Sequence, residues 1–123
     1  MTVGALGKDF DDGEIIIQQG STGKCMYVIQ DGQVEVVQSS DQGEQHLATL
    51  RPGDFFGEMA IFENEVRSAT VRAVGKAKIL QVDKKTLLRR IKEDPLLAVN
   101  LLKSMSHRIR VLDAQLAQLE SDA

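Results

Sequence analysis

Tryptophan is absent from this 123-residue chain, tyrosine occurs once, and aromatic residues reach only 4%. Cysteine is almost as scarce. The lone Cys25 cannot close an intrachain disulfide, which excludes a disulfide-stapled scaffold. It lies in the strand-like run KCMYVI, where an inert, packed thiol is expected. No apolar run approaches the roughly 20 residues a membrane helix requires. The opening MTVGALGKDFDDGE is too acidic and too weakly apolar for a secretory signal. A basic excess is missing as well, and a net charge of −3 argues against a whole-domain grip on nucleic acid. What remains, 42% hydrophobic and 27% charged, is an ordinary globular composition, long enough for one core and short for two. A single domain over residues 1–123 in the cytoplasm, with no membrane association, is the expectation.

Several chemistries fall away for lack of parts. GSTGKC at Gly20 to Cys25 has the wrong glycine spacing for a phosphate-binding loop of the nucleotide-hydrolase type. Cys25 also stands where such a loop needs a magnesium-binding hydroxyl. The two histidines, His46 and His107, are far apart and cannot form a metal cluster with carboxylates. No Ser-His-Asp or Cys-His grouping suggests a nucleophile. An enzyme is not expected, and neither is a metal. Charge is unevenly spread: up to Val66 the only bases are Lys8, Lys24 and Arg51, whereas Lys76 to Arg110 is rich in lysine and arginine. Solvated helix faces account for most of that basic stretch.

The first two thirds of the chain reads as short strands. EIIIQQ, KCMYVIQ, QVEVVQ, HLATL, SATVRAV and AKILQV are rich in β-branched residues and separated by turn chemistry. Asp31-Gly32, between YVIQ and QVEVV, offers the positive φ angles of a type I′ hairpin. SSDQGEQ and RPGD supply further turns. This pattern predicts an antiparallel sandwich or barrel over roughly residues 10–82.

Beyond Val82 the period changes to that of helices, over roughly residues 83–120. DKKTLLRRIKED has Asp83 as N-cap and Leu87, Leu88 and Ile91 on one face. A second helix opens with Asp94 as cap and Pro95 in its first turn. Along it Ala98, Leu102, Met105, Ile109, Leu112, Leu116 and Leu119 step by 4 and 3 alternately, the 3.5-residue repeat of a coiled-coil seam. Packing of that face on the chain's own barrel is one outcome. A seam shared with a second copy, giving a homodimer, is preferred, because exposed leucines on a projecting helix are costly.

The stretch GDFFGEMAIFENEVRSATV, Gly53 to Val71, places the acid Glu58 and the base Arg67 nine positions apart in an apolar loop. A short helix starting near Gly57–Glu58 would present backbone N–H groups to an anion. The Arg67 guanidinium suits a forked grip on phosphate oxygens, and Ser68 adds a hydroxyl. Glu58 would repel a bare phosphate but would accept a hydrogen bond from a sugar hydroxyl. Together they read as a recogniser of a sugar phosphate. A simple Glu58–Arg67 ion pair closing an empty loop stays open as the alternative.

At these residues the chain resembles the cyclic nucleotide-binding domain family. That family includes the catabolite activator protein, the regulatory subunit of cAMP-dependent protein kinase and cyclic nucleotide-gated channels. FGEMAIFENEVRSATV matches its phosphate-binding cassette (here residues 53–71). DGEIIIQQGSTGKCMYVIQDGQVEVV matches its opening strands, and AKILQVDKKTLLRRIKEDPLLAVNLL its exit strand and hinge helix. The resemblance implies an α+β fold, with an antiparallel β jelly-roll barrel followed by a hinge helix and a long C-terminal helix. It implies cAMP or cGMP as ligand. Glu58 would accept the ribose 2′-hydroxyl, Arg67 would pair with the cyclic phosphate and Ser68 would bond it. Gly57, Met59, Ala60 and Ala69 would give backbone contacts or room, and Ile61 would relay closure to the hinge helix.

One departure concerns the base. Where the catabolite activator branch offers a threonine and a serine to adenine, this chain has Leu112 and Asp113. Leu112 would cap the base, and Asp113 would accept from a guanine amino group. The implied function is a sensor that couples ligand binding to rearrangement of its C-terminal helix. The alternatives are a non-binding scaffold of the same fold, or the ligand-sensing part of a longer transcription regulator. The sequence as given contains no DNA-recognition helix.

Overall fold

The computed structural model describes residues 7–62 and 66–122. The first six residues, read above as no secretory signal, and Glu63–Glu65 of the cassette lie outside that range. In chain order the elements are β1 (Lys8–Phe10), β2 (Ile15–Ile17), β3 (Cys25–Ser40), β4 (Gly43–Leu50), β5 (Phe55–Phe56), α1 (Met59–Phe62), β6 (Thr70–Asp83), α2 (Lys84–Glu93) and α3 (Leu96–Asp122). They fall into two compact units that divide between Lys84 and Lys85, close to the predicted change from strands to helices.

Every strand pairing is antiparallel. The sheet runs β1-β6-β3-β4, with β2 added on β6 and β5 on β3. The resulting architecture is the α+β jelly-roll predicted from the sequence. Two long strands carry it: β3 and β6 pair from Cys25↔Asp83 through to Val37↔Thr70. In β6 Val71 and Ala73, and then Ala77 and Ile79, are buried at alternate positions, as a half-buried strand requires, whereas β3 buries Met26, Ile29, Val34 and Val37 at wider spacings. Ile29, Val34 and Ile79 are at most 1% exposed and form one core with Phe10, Ile17, Phe56, Val71, Ala73 and Ala77. On the other face Arg72 of β6 bridges Glu35 of β3 and Glu44 of β4, tying three strands by charge.

Asp31-Gly32 is not a hairpin. β3 continues straight through it, because Met26–Ile29 and Gln33–Val37 pair with the same partner strand. The positive φ of Gly32, 80°, is used in a bulge instead, where the register against β6 shifts on both sides of Asp31. The glycine is also required by space. A Cβ at residue 32 would stand 2.2 Å from the Lys76 carbonyl oxygen. Likewise SATVRAV and AKILQV are one strand, bent at Gly75, whose N–H donates to Asp12 Oδ1 at 2.7 Å. The other two turns form as expected. Asp41–Gln42 joins β3 to β4, with Ser40 Oγ accepting from the Gln42 N–H. At RPGD the Arg51 N–H donates to Asp54 Oδ2 while the Asp54 N–H returns to the Arg51 carbonyl.

In the second unit, α2 follows directly on Asp83, the predicted cap, and buries Leu87. Asp94 caps α3: its Oδ1 accepts from the Leu96 N–H at 3.2 Å, and its carbonyl from the Leu97 N–H. α3 has 27 residues, about 40 Å of helix. Of the predicted seam, Leu102, Ile109, Leu112, Leu116 and Leu119 are 56–68% exposed, while Ala98 and Met105 are half-buried. No helix among the described residues is long and apolar enough to cross a membrane.

Candidate functional site

The acid and base of the Gly53–Val71 stretch are held by different elements. β5 seats Phe55 and Phe56 in the core at 3–4% exposure. Phe56 stacks on Tyr27 of β3 with ring centroids 5.2 Å apart. The chain then turns at Gly57, whose φ of 76° a side chain would rarely adopt. That turn delivers Glu58, half-buried, to the start of α1. In α1, Ala60 and Ile61 are buried at 6% exposure and their N–H groups close back on the Gly57 and Glu58 carbonyls. Met59 stays 42% exposed.

Arg67 arrives from the other end, with Ser68 and Ala69 between it and β6. Its backbone is clamped on both sides: its N–H donates to the Ser21 carbonyl at 2.7 Å, and its carbonyl accepts from the Gly20 N–H at 2.8 Å. A bridge between Thr22 and Val66 extends the same pairing. The guanidinium reaches across the loop. Nη1 donates to the Gly57 carbonyl at 3.0 Å and Nη2 to the Cys25 carbonyl at 2.9 Å. So the structure brings together Gly57 and Arg67 from the two ends of the predicted cassette, with Glu58 and Ser68 as their chain neighbours. Ser68 is exposed. Its carbonyl accepts from Gln38 Nε2 at 3.1 Å, while among the described residues its hydroxyl takes no partner. Ala69 is half-buried beside it. Thr70, the one buried polar residue at the start of β6, fixes the approach by accepting from the Gln19 N–H at 2.9 Å.

Arg67 brings a positive charge to the turn at Gly57. Burial pushes the Tyr27 phenol up from its ordinary value, and the nearby Arg67 charge partly opposes that shift. Leu112 and Asp113 belong to the second unit, where both are exposed on α3. Among the described residues no group of histidine, cysteine and carboxylate side chains could hold a metal. Cys25 is half-buried, its thiol accepting from Gln81 Nε2 at 3.3 Å. Its part in the site is through its backbone carbonyl, which sequence reasoning misses along with Gly20 and Ser21. Carbonyl groups occur at every position, so no residue type marks them. Only the glycine punctuation of GSTGKC hints at close approach there.

The family model for the cyclic nucleotide-binding domain matches residues 8–94. A cAMP-dependent protein kinase regulatory subunit from Blastocladiella emersonii is 38% identical over 81 residues, 65% of this chain and 20% of that protein. The crystal structure of the Thermus thermophilus catabolite activator protein superposes with a TM-score of 0.80 at 32% identity, covering 94% of this chain and 55% of that one. An EAL enzyme solved in a cGMP-bound form superposes with a TM-score of 0.65 at 31% identity, covering 94% of this chain and 31% of that one. This chain thus spans only part of each of these proteins, from a fifth to about half of their length. Since the matched span takes in the strands, the Glu58–Arg67 loop and α2, the chain belongs to the cyclic nucleotide-binding domain family.

Proposed function

We propose that this chain is a non-enzymatic sensor of a cyclic purine nucleotide, cAMP or cGMP. The observation that carries it is the fixed Arg67 guanidinium, drawn against the Gly57 carbonyl at 3.0 Å, which aims a forked cation at the turn holding Glu58. Of its five N–H donors two go to protein carbonyls, leaving three for the oxygens of a cyclic phosphate. The Ser68 hydroxyl and the backbone around Ala69 add neutral donors at the same end. Glu58 takes the ribose 2′-hydroxyl, which offers the donor a carboxylate needs. Gly57, Met59 and Ala60 form the turn against the sugar. This set suits a monoanionic diester on a ribose. For the base, the family resemblance offers Leu112 as an apolar cap and Asp113 as an acceptor for a guanine amino group. Relatives carry names or bound ligands of both kinds: a cAMP-dependent kinase subunit and a cGMP-bound enzyme.

Binding is read out as a population shift. Ligand tightens the cassette, the buried Ile61 moves with α1, and α2 and α3 follow. The apolar repeat on α3 pairs with a second copy, so the sensor works as a cytoplasmic homodimer. Calorimetric titration with cAMP, cGMP and uncyclised 5′-AMP tests the reading. Saturable one-site binding of a cyclic nucleotide, with 5′-AMP much weaker, is expected. No binding of either cyclic nucleotide at millimolar concentration would leave only a scaffold of the same fold.

A further inference from the structure

The segment Gly20–Cys25 is the sequence feature that the cassette reading leaves unused. Its residues GSTGKC lack the spacing of a phosphate loop. Yet the structure wraps this segment around Arg67. Gly20 and Ser21 clamp the arginine backbone, and Cys25 takes Nη2 through its carbonyl. Gly23 lies against the guanidinium itself. A Cβ built on Gly23 would stand 2.5 Å from Nη2 and 3.2 Å from both Cζ and Nε. Across the group, a Cβ on Gly57 would stand 2.8 Å from Nη1. The guanidinium thus occupies a slot between two glycines.

The two glycines differ in what they provide. Gly57 adopts a φ of 76°, so its lack of a side chain serves the backbone as well as the slot. Gly23 is not among the glycines with positive φ, and any residue could adopt its backbone conformation. Its closest neighbours at the Cβ position are all atoms of the Arg67 side chain. What residue 23 supplies by being glycine is therefore room for that one group.

From this we infer that Gly23 is a positioning residue for anion binding: its missing side chain, with the Cys25 carbonyl, holds the Arg67 fork in register for the ligand's phosphate. The inference rests on the proposed cyclic nucleotide reading. Hydrogen bonds to carbonyls set the plane of the guanidinium before ligand arrives, so less ordering remains to be done on binding. A methyl group at residue 23 would push Nη2 off the Cys25 carbonyl and tilt the fork. Fewer of the three remaining N–H donors would then point at the phosphate.

The test is a cycle of Gly23→Ala, Arg67→Ala and the double substitution, each titrated with cAMP and cGMP. Gly23→Ala should weaken both nucleotides about 10- to 100-fold, the worth of one charge-assisted hydrogen bond. In the Arg67→Ala background the same substitution should change affinity by less than about twofold, since coupling vanishes with the partner. A purely structural role for Gly23 would instead add its cost in both backgrounds. Should Gly23→Ala bind like the parent while Arg67→Ala loses binding, the positioning role is overturned and the nucleotide reading stands. Should Arg67→Ala itself bind like the parent, the nucleotide site is misassigned. The placement of the guanidinium is then judged without ligand, by the Nε–H resonance of Arg67, which must move on Gly23→Ala. An unmoved resonance refutes the slot. Because an alanine could also disturb folding, thermal unfolding is followed in the Arg67→Lys background, where a slimmer side chain relieves the clash. Destabilisation of equal size in both backgrounds would assign Gly23 to the loop and overturn the proposal.

Discussion

Replacing Arg67 by alanine removes one group with two duties, and their sizes can be separated. In the free protein the guanidinium donates to the Gly57 and Cys25 carbonyls at 3.0 and 2.9 Å. Hydrogen bonds to a charged group are worth about 1.5–3 kcal/mol each, but this side chain is only half-buried. Water can therefore reach carbonyls that lose the arginine, and a stability loss of about 1–2 kcal/mol in total is expected. In the proposed complex the same fork would face a phosphate held away from solvent. Truncating one partner of such a charge pair costs about 2–5 kcal/mol, a rise in Kd of about 30- to 5,000-fold. Binding should thus fall further than stability. Arg67→Lys should recover only part of the loss, because an ammonium keeps the charge but cannot span both carbonyls and the phosphate. Calorimetric titration gives the first quantity, and urea unfolding without nucleotide gives the second. An alanine variant that titrates within about threefold of the parent would refute the assignment of Arg67 to the phosphate. A variant that loses several kcal/mol of stability but no affinity would make the residue a strut of the loop.

Three further expectations concern the barrel and the long helix. Gly32→Ala forces a side chain into a φ of 80° and against the Lys76 carbonyl, and should cost about 2–5 kcal/mol, read as a lowered urea midpoint; a midpoint equal to the parent's would show that the bulge relaxes freely. Glu44, hydrogen-bonded by Arg72, has its pKa held below the usual 4.5. Its stabilising effect is therefore full above pH 4.5 and fades as the pH falls through the lower folded value, so parent and Glu44→Gln should converge in acid-unfolding curves; curves that stay a constant distance apart would contradict the pairing. Leu112→Lys, at a position 62% exposed on α3, should shift sedimentation velocity toward monomer while leaving the circular dichroism of the barrel unchanged; an unaltered sedimentation coefficient would remove the seam from the account.

Local chemistry makes much of this molecule legible in its sequence. The turns at Asp41–Gln42 and Pro52–Gly53 close within four residues, so their sequence contains the reason for them. The helices declare themselves by period, and Asp94 caps α3 as its position before Pro95 predicts. The cassette could be proposed from sequence because Glu58, Arg67 and Ser68 are side-chain types whose chemistry suits a sugar phosphate. Where sequence reasoning goes astray, the deciding partner lies far along the chain. Gly32 takes a positive φ in the bulge as it would in a hairpin, whereas Asp31, which a type I′ turn would also hold at positive φ, does not. Pairing of both flanks with β6, some 40 residues on, decides for the bulge. β1 and β5, with three and two residues, are too short to show a period and exist only because β6 and β3 offer them edges.

The amino-acid order by itself determined the fold class, the change from strands to helices, and which acid and which base belong to the loop. Only the tertiary structure decided what holds that base in place. Arg67 is gripped by the backbone carbonyls of Gly57 and Cys25 and given room by Gly23. Carbonyls and empty space carry no letter in a sequence, and they act on Arg67 only once the strands have paired.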